Sequence, residues 1–170
     1  MSTDSSERIL EEGLRLRLIR PDDAPRLIAL YDRLSRDTAY QRFFAAMRRL
    51  PPDWARFLAN VDYQTRLALV IERQGAEGPE VIAVGRYEPT KEPGVAEVAF
   101  VVQDGWQGKG LGRILLDDLL AAAEARGVRR FSAFVLATNH RMLRLLRRHT
   151  RILERKIDTG VAEILFERQT

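Results

Sequence analysis

Leu14, Leu16 and Leu18 alternate with Arg15 and Arg17 in the two-residue period of a strand with one face turned inward. Arg20-Pro21-Asp22-Asp23 breaks that period. Beyond it Leu27, Ile28, Leu30, Tyr31 and Leu34 recur at helical spacing, so a helix is expected, with Asp22 placed to cap its first turn. A second helical stretch is read through Phe43, Phe44, Met47 and Leu50 to Pro51-Pro52, and a third from Asp53 through Trp54, Phe57 and Leu58.

From Leu67 the apolar residues gather into shorter blocks. Residues 67–72, 81–87 and 95–102 read as strands, and the turn residues of Gly75-Ala76-Glu77-Gly78-Pro79 and Lys91-Glu92-Pro93-Gly94 predict an antiparallel meander. A helix over about 109–126, a strand over 131–136, a helix over about 139–149 and strands near 152–157 and 161–166 follow, the last two joined as a hairpin by Asp158-Thr159-Gly160. No internal repeat, low-complexity tract or linker interrupts this order. The expected class is α+β: one domain over 13–170, with a mixed, mostly antiparallel sheet of about seven strands flanked by helices, after a flexible lead over 1–12.

Composition narrows the chemistry. The 170 residues are 45% hydrophobic and 31% charged, enough for one core without disulfides or a structural metal. Cysteine is absent, which excludes a thiol nucleophile and every cysteine-ligated metal site. His140 and His149 are too few for a histidine-rich centre and, set among arginines on a predicted helix, read as surface groups or partners of the helix dipole, so no metal is expected. The net charge of +4 rests almost wholly on arginine and favours anionic ligands, yet 24 dispersed acidic residues leave no polybasic block that would point to nucleic acid. The polar start has no secretory or transit pattern, and no apolar run approaches the roughly 18 to 20 residues of a membrane helix. A cytoplasmic protein without a membrane partner is the expectation.

The densest signal is Val95–Val102 followed by Gln103-Asp104-Gly105-Trp106 and Gln107-Gly108-Lys109-Gly110-Leu111-Gly112-Arg113: strand, loop, helix. Glycines at a helix mouth let the backbone turn tightly, and the helix's unpaired amides favour a phosphate or pyrophosphate there; a plain connecting turn is the other reading. Lys109 is followed by Gly110 rather than Ser or Thr, which excludes a Walker loop. The spacing and the absence of an acid after Leu136-Ala137-Thr138 disfavour a Rossmann fingerprint. Glu97 is the only charge in its eight-residue apolar strand, which reads as buried on both faces. A carboxylate there must be hydrogen-bonded, paired with a cation such as Arg86, or raised in pKa toward a value suited to a general base.

These residues resemble the GCN5-related N-acetyltransferases (GNATs), whose acyl-CoA loop follows Gln/Arg-x-x-Gly-x-Gly/Ala, here Gln107-Gly108-Lys109-Gly110-Leu111-Gly112. The likeness extends from about residue 14 to 166 in the order of elements. Within the family the chain is most similar to the catalytic domain of bacterial protein lysine acetyltransferases of the Pat type. The segments that carry this are Ser35-Arg36-Asp37-Thr38-Ala39-Tyr40-Gln41-Arg42-Phe43-Phe44, Val61-Asp62-Tyr63, Ala96-Glu97-Val98-Ala99-Phe100, and Asn139 with Met142.

The resemblance implies acetyl-CoA as cosubstrate. It implies that the backbone of Phe100, Val101 and Val102 pairs with the pantetheine arm and that amides of Gln107, Gly108, Lys109, Gly110, Leu111, Gly112 and Arg113 hold the pyrophosphate, Lys109 and Arg113 adding charge. Asn139 and Met142 match positions at the pantetheine, although Asn139 is equally a good helix N-cap. Glu97 is implied as the base, directly or through water. Many relatives carry a tyrosine seven residues after the asparagine to protonate the leaving thiolate; here that position is Leu146, and water takes over the task. Asp62, Tyr63 and Tyr40 are open between substrate-side and structural roles. Tyr40, Phe43, Phe44, Trp54 and Phe57 by resemblance flank the acceptor groove and, as helical aromatics, are expected in the core.

The function so implied is direct transfer, in a ternary complex, of acetyl to the ε-amino group of a protein lysine, for example on an acyl-CoA synthetase. A small-amine acetyltransferase, a non-catalytic acyl-CoA sensor and a nucleic-acid binder reusing the fold are the alternatives.

Overall fold

The computed structural model describes residues 7–45 and 49–169. Eight strands form one open sheet: β1 (Arg8–Ile9), β2 (Arg15–Leu18), β3 (Leu67–Gly75), β4 (Gly78–Pro89), β5 (Val95–Val102), β6 (Arg130–Leu136), β7 (Thr150–Asp158) and β8 (Val161–Arg168). Their order is β1-β2-β3-β4-β5-β6-β8-β7, and only β5 and β6 are parallel, as the crossover between them requires. The extra strand relative to the seven read from sequence is β1, whose two residues pair with Leu16 and Arg15 and are too few to show a period.

Five helices divide between the two faces. α4 (Leu111–Glu124) and α5 (His140–His149) cover the face of Leu67, Leu69, Tyr87, Val98 and Phe131, where Phe131 stacks on Phe166 with centroids 5.6 Å apart. Each such fully buried side chain contributes about 1.5–3 kcal/mol. Gly85 keeps this layer thin: a Cβ there would come within 2.9 Å of the Phe100 ring. α1 (Ala24–Asp32) and α3 (Pro52–Ala59) cover the other face over Ala68, Val70, Val84 and Val101, with α2 (Arg36–Phe43) beside them. They reach only as far as β5, so the same face of β6, β8 and β7 is left bare. No helix among the described residues is long and apolar enough to cross a membrane.

Several local expectations change. The second helix stops at Phe43 because Phe44 takes a left-handed conformation (φ 55°), while Ser35, accepting from the Thr38 amide, starts it. Leu50 is buried beyond the helix, and Met47 lies outside the described residues. Asp23 replaces Asp22 as the residue that closes the turn before α1: its Oδ2 accepts from the Arg20 amide at 2.7 Å, whereas Asp22 stays at the surface with Arg20. Tyr40, Trp54 and Phe57 are not core but 44%, 48% and 60% exposed. α2 buries Thr38 and Ala39, and α3 buries Ala55 and Ala59, so small residues make the contacts and the large rings point outward. Phe43 is partly buried between Tyr31 and Trp54, and Phe44 is likewise only partly covered.

Candidate active site

β5 and β6 pair over three rungs, Val95↔Arg130, Ala96↔Phe131 and Glu97↔Ser132, and then part. Beyond Glu97, β5 stays bonded to β4 and β6 to β8, so the facing edge of Val98–Val102 has no strand partner among the described residues. A cleft of about 620 Å³ fills the gap. Phe100, Val101, Val102, Gln107, Gly108, Gly110, Leu111, Gly112, Arg113, Asn139 and Met142 all line it. Lys109 does not: its ammonium sits 5.5 Å from the centre of the Trp106 ring.

The floor of the cleft is set by the glycines. Gly108 (φ 78°) and Gly110 (φ 84°) occupy the left-handed region, and Gly110 is the N-cap residue of α4, which is why the helix begins at Leu111 rather than Lys109. The first helical bond runs from the Ile114 amide to the Gly110 carbonyl, leaving the amides of Leu111, Gly112 and Arg113 at a helix end that favours anions. Gly112 is different: its backbone is helical and a Cβ would lie 3.5 Å from Leu145, an ordinary contact. Asn139 caps α5 through Oδ1, which accepts from the Met142 amide at 3.2 Å, and also faces the cleft.

Sequence reasoning missed two contributors. Arg141, Arg144 and Arg148 join Arg113 along the cleft, and so do His140 and His149, because α5 turns its Leu146 side into the core and its polar side toward the gap. The alternating Leu and Arg of α5 mark an amphipathic helix but do not say that a cavity lies against the polar face. The second contributor is α2, whose Thr38, Gln41 and Arg42 form the opposite wall. Asp104 fastens it there, accepting from the Ser35 amide at 2.9 Å and from the Ser35 and Thr38 hydroxyls at 2.8 Å each. Gln107 donates to the Val102 carbonyl of β5 at 2.9 Å and, across the same junction, to the Thr38 hydroxyl at 3.4 Å.

Glu97 stands at the last rung before the strands part, and it is exposed rather than buried on both faces. The burial expectation fails because the helices on its side of the sheet stop at β5. Arg86 does not pair with it; that buried guanidinium holds Glu88 at 3.0 Å and the Leu58 carbonyl at 2.8 Å, and desolvation pushes its pKa down to about 10. Partial loss of hydration raises the Glu97 pKa above a glutamate's usual value; Arg42 opposes the rise, and the charges of Glu88 and Glu163 reinforce it. Glu97 opens onto a second, smaller groove of about 410 Å³ on the bare face of β6, β8 and β7. Phe134 lines both the cleft and the groove.

The remaining candidates serve the framework. Asp62 ties a loop, accepting from the Gln64 and Arg66 amides and the Thr65 hydroxyl, and these bonds hold its pKa well below the carboxylate range. Tyr63 donates its hydroxyl to the Ile19 carbonyl at 2.6 Å. Tyr40 projects from α2 without lining either opening.

Residues 27–150 match the Acetyltransferase (GNAT) family. The chain is 35% identical over 151 residues to "Acetyltransferase Pat" of Mycolicibacterium smegmatis, a match that covers 88% of this chain and 44% of that protein. It thus spans less than half the length of that relative. To "Acetyltransferase PA5475" of Pseudomonas aeruginosa it is 30% identical over 136 residues, covering 78% of this chain and 73% of the other. Among solved structures, the GNAT domain of S. lividans PAT superimposes with a TM-score of 0.82 at 34% identity, over 95% of each chain. The cAMP-binding acyltransferase from Mycobacterium smegmatis superimposes with a TM-score of 0.62 at 28% identity, over 96% of this chain and 47% of that one.

Proposed function

Because the chain belongs to the GNAT acetyltransferase family, we propose that it is an N-acetyltransferase that uses acetyl-CoA to acetylate the ε-amino group of a protein lysine, with Glu97 as the base. The observation that carries the reading is the position of Glu97 at the rung where the cleft of β5 and β6 meets the open groove. Its environment, which favours the protonated form more than water does, suits a group that must take a proton from an ammonium. The 35% identity to the Mycolicibacterium Pat, spread over 88% of this chain, agrees with the Pat-type resemblance of the sequence, and that resemblance supports the choice of a protein acceptor.

The cleft fits a long polyanionic thioester carrier. Its free strand edge is suited to an extended amide-bearing arm, and the left-handed glycines, the helix end of α4 and the four arginines to phosphates. Bound acetyl-CoA supplies an acyl group on a good leaving thiolate, so an amine forms the new C–N bond as the C–S bond breaks. Leu111, Gly112 and Arg113 fix the carrier's phosphates through their amides, and Phe100–Val102 align its arm along β5. Glu97 accepts a proton from the acceptor ammonium and frees the lone pair that attacks. Leu146 is fully buried and holds no acid, so water returns the proton to the departing sulfur.

The test is incubation of the purified chain with labelled acetyl-CoA and a bacterial lysate, followed by mapping of modified residues. Label on lysine side chains, lost in Glu97→Gln, is the expected result. Turnover of polyamines or free amino acids with no protein labelled would replace the protein acceptor by a small amine.

A further inference from the structure

The groove beyond Phe134 carries a group that the reaction so far leaves unused. Ser132 is the partner of Glu97 on the last rung of β5 and β6, so both side chains leave the sheet on the same face. It is only 9% exposed, and among the described residues its hydroxyl makes no hydrogen bond, although no fully buried polar side-chain atom there goes without one. The two facts agree only if the oxygen reaches the groove that Ser132 lines. A nearly buried, unpartnered hydroxyl beside a carboxylate is a place prepared for a ligand that donates hydrogen bonds.

The surroundings say which ligand. On β8, Leu165 lies opposite Ser132, and Glu163 lies opposite Phe134, so an exposed ring and a half-buried leucine lie between Glu97 and Glu163 in a groove that Lys91, Glu92, Glu154 and Lys156 also line. Glu88, by contrast, is held between Arg66 and Arg86. Neither Glu97 nor Glu163 has an ion-pair partner among the described residues. Lys156, across from Glu163 on β7, turns to Glu154 at 3.7 Å. The open shape and the spacing across two strand steps suit a side chain that lies along the sheet, with one cation at each end.

We propose that this groove is the acceptor subsite for a lysine accompanied by a second positive charge: Ser132 accepts a hydrogen bond from the ε-nitrogen beside Glu97, the alkyl chain rests on Phe134, and Glu163 receives a neighbouring basic residue. The proposal rests on the lysine reading above and specifies the sequence in which that lysine stands. Ser132 is a binding and positioning residue here. Glu163 sets specificity.

The experiment compares two synthetic peptides, one with a lysine among neutral residues and one with arginines two positions to either side, acetylated by the full chain at low and high salt. The expected kcat/KM ratio is at least about tenfold in favour of the basic peptide at low salt, shrinking as salt screens the exposed Glu163. Glu163→Gln brings the ratio near one. Ser132→Ala raises KM for both peptides, while acetyl-CoA affinity and the unfolding midpoint stay at their wild-type values. Equal use of the two peptides by wild type, or a ratio that survives Glu163→Gln, overturns the subsite and leaves lysine acetylation standing. A chain that acetylates neither peptide overturns the lysine reading and this inference with it.

Discussion

Two groups of charges lie on one face of the sheet, several strands apart, and their surroundings give them opposite characters. On β2 and β3, Arg17 is 3% exposed and forks onto Asp23 at 2.8 and 2.9 Å while its Nε holds Glu72 at 2.7 Å. Arg26 and the Arg20 amide complete the shell around Asp23. At the other end, Glu97 and Glu163 are exposed and form no ion pair among the described residues. The sheet is the same; the cover differs. α1 and the turn before it close over the first group, so each charge there had to be matched, whereas no helix among the described residues crosses β6, β8 and β7, so the second group can wait for charges from outside.

The sharpest way to test that contrast is Glu97→Gln. Turnover should fall roughly 10²- to 10⁴-fold, the usual loss on removing a general base, with acetyl-CoA affinity retained. Stability should move the other way. A carboxyl whose pKa is raised in the folded state favours folding at low pH and gives up that contribution as pH rises through the folded value. At neutral pH the glutamine variant should therefore be as stable as wild type or more so, by urea titration. A clear loss of stability would mean that Glu97 is a structural partner after all.

Asp23→Ala should show the converse. Removing Asp23 strips the buried Arg17 of its two-pronged partner and leaves it only Glu72, a cost of up to about 3–5 kcal/mol, read as a lower urea midpoint. Any remaining folded protein should bind acetyl-CoA normally. Despite its burial, the bonds from Arg17, Arg20 and Arg26 depress the Asp23 pKa. Its contribution is thus present above the unfolded carboxylate value and lost as pH falls through the depressed one, so the wild type should lose stability in acid and the variant should lose less. Parallel acid profiles would remove Asp23 from the account.

Leu146→Ala probes the cleft's supporting wall. Leu146 is fully buried under α5, so the loss should be about 2–5 kcal/mol of stability, with turnover per folded molecule little changed below the unfolding transition. A large fall in turnover at unchanged stability would give α5 a chemical role at this position.

The strand positions and the glycine loop were legible because alternation and turn residues are local signals: 95–102, 131–136 to within a residue, and the hairpin at Asp158-Thr159-Gly160 stand where their patterns put them. Glu97 was singled out for a partly mistaken reason. An apolar strand with one charge reads as doubly buried, and sequence periodicity cannot tell that the covering helices end at β5. Tyr40, Trp54 and Phe57 failed in the same way, since an aromatic on a helix does not reveal that alanines make the contact. Asp104 and Ser132 left no trace at all. Asp104 acts through Ser35 and Thr38, distant in sequence, and Ser132 matters only because β6 leaves β5 one residue later.

The smallest effect separates two glycines that look alike in sequence. Gly110 needs its left-handed φ of 84° and would meet nothing within 4 Å if given a Cβ, so Gly110→Ala is penalised by conformation alone. Gly112 is helical and its Cβ would only touch Leu145, so Gly112→Ala should be accepted, with a helix propensity gain. The strain at Gly110, about 1–2 kcal/mol, is relieved if the loop opens, and an opened loop misaims the Leu111 amide. Acetyl-CoA affinity should then fall by roughly 5- to 30-fold in Gly110→Ala and little in Gly112→Ala, measured by calorimetry. Equal affinities would show that the carrier's phosphates do not depend on this turn. A greater loss at Gly112 would place them closer to the first turn of α4 than to the left-handed residue before it.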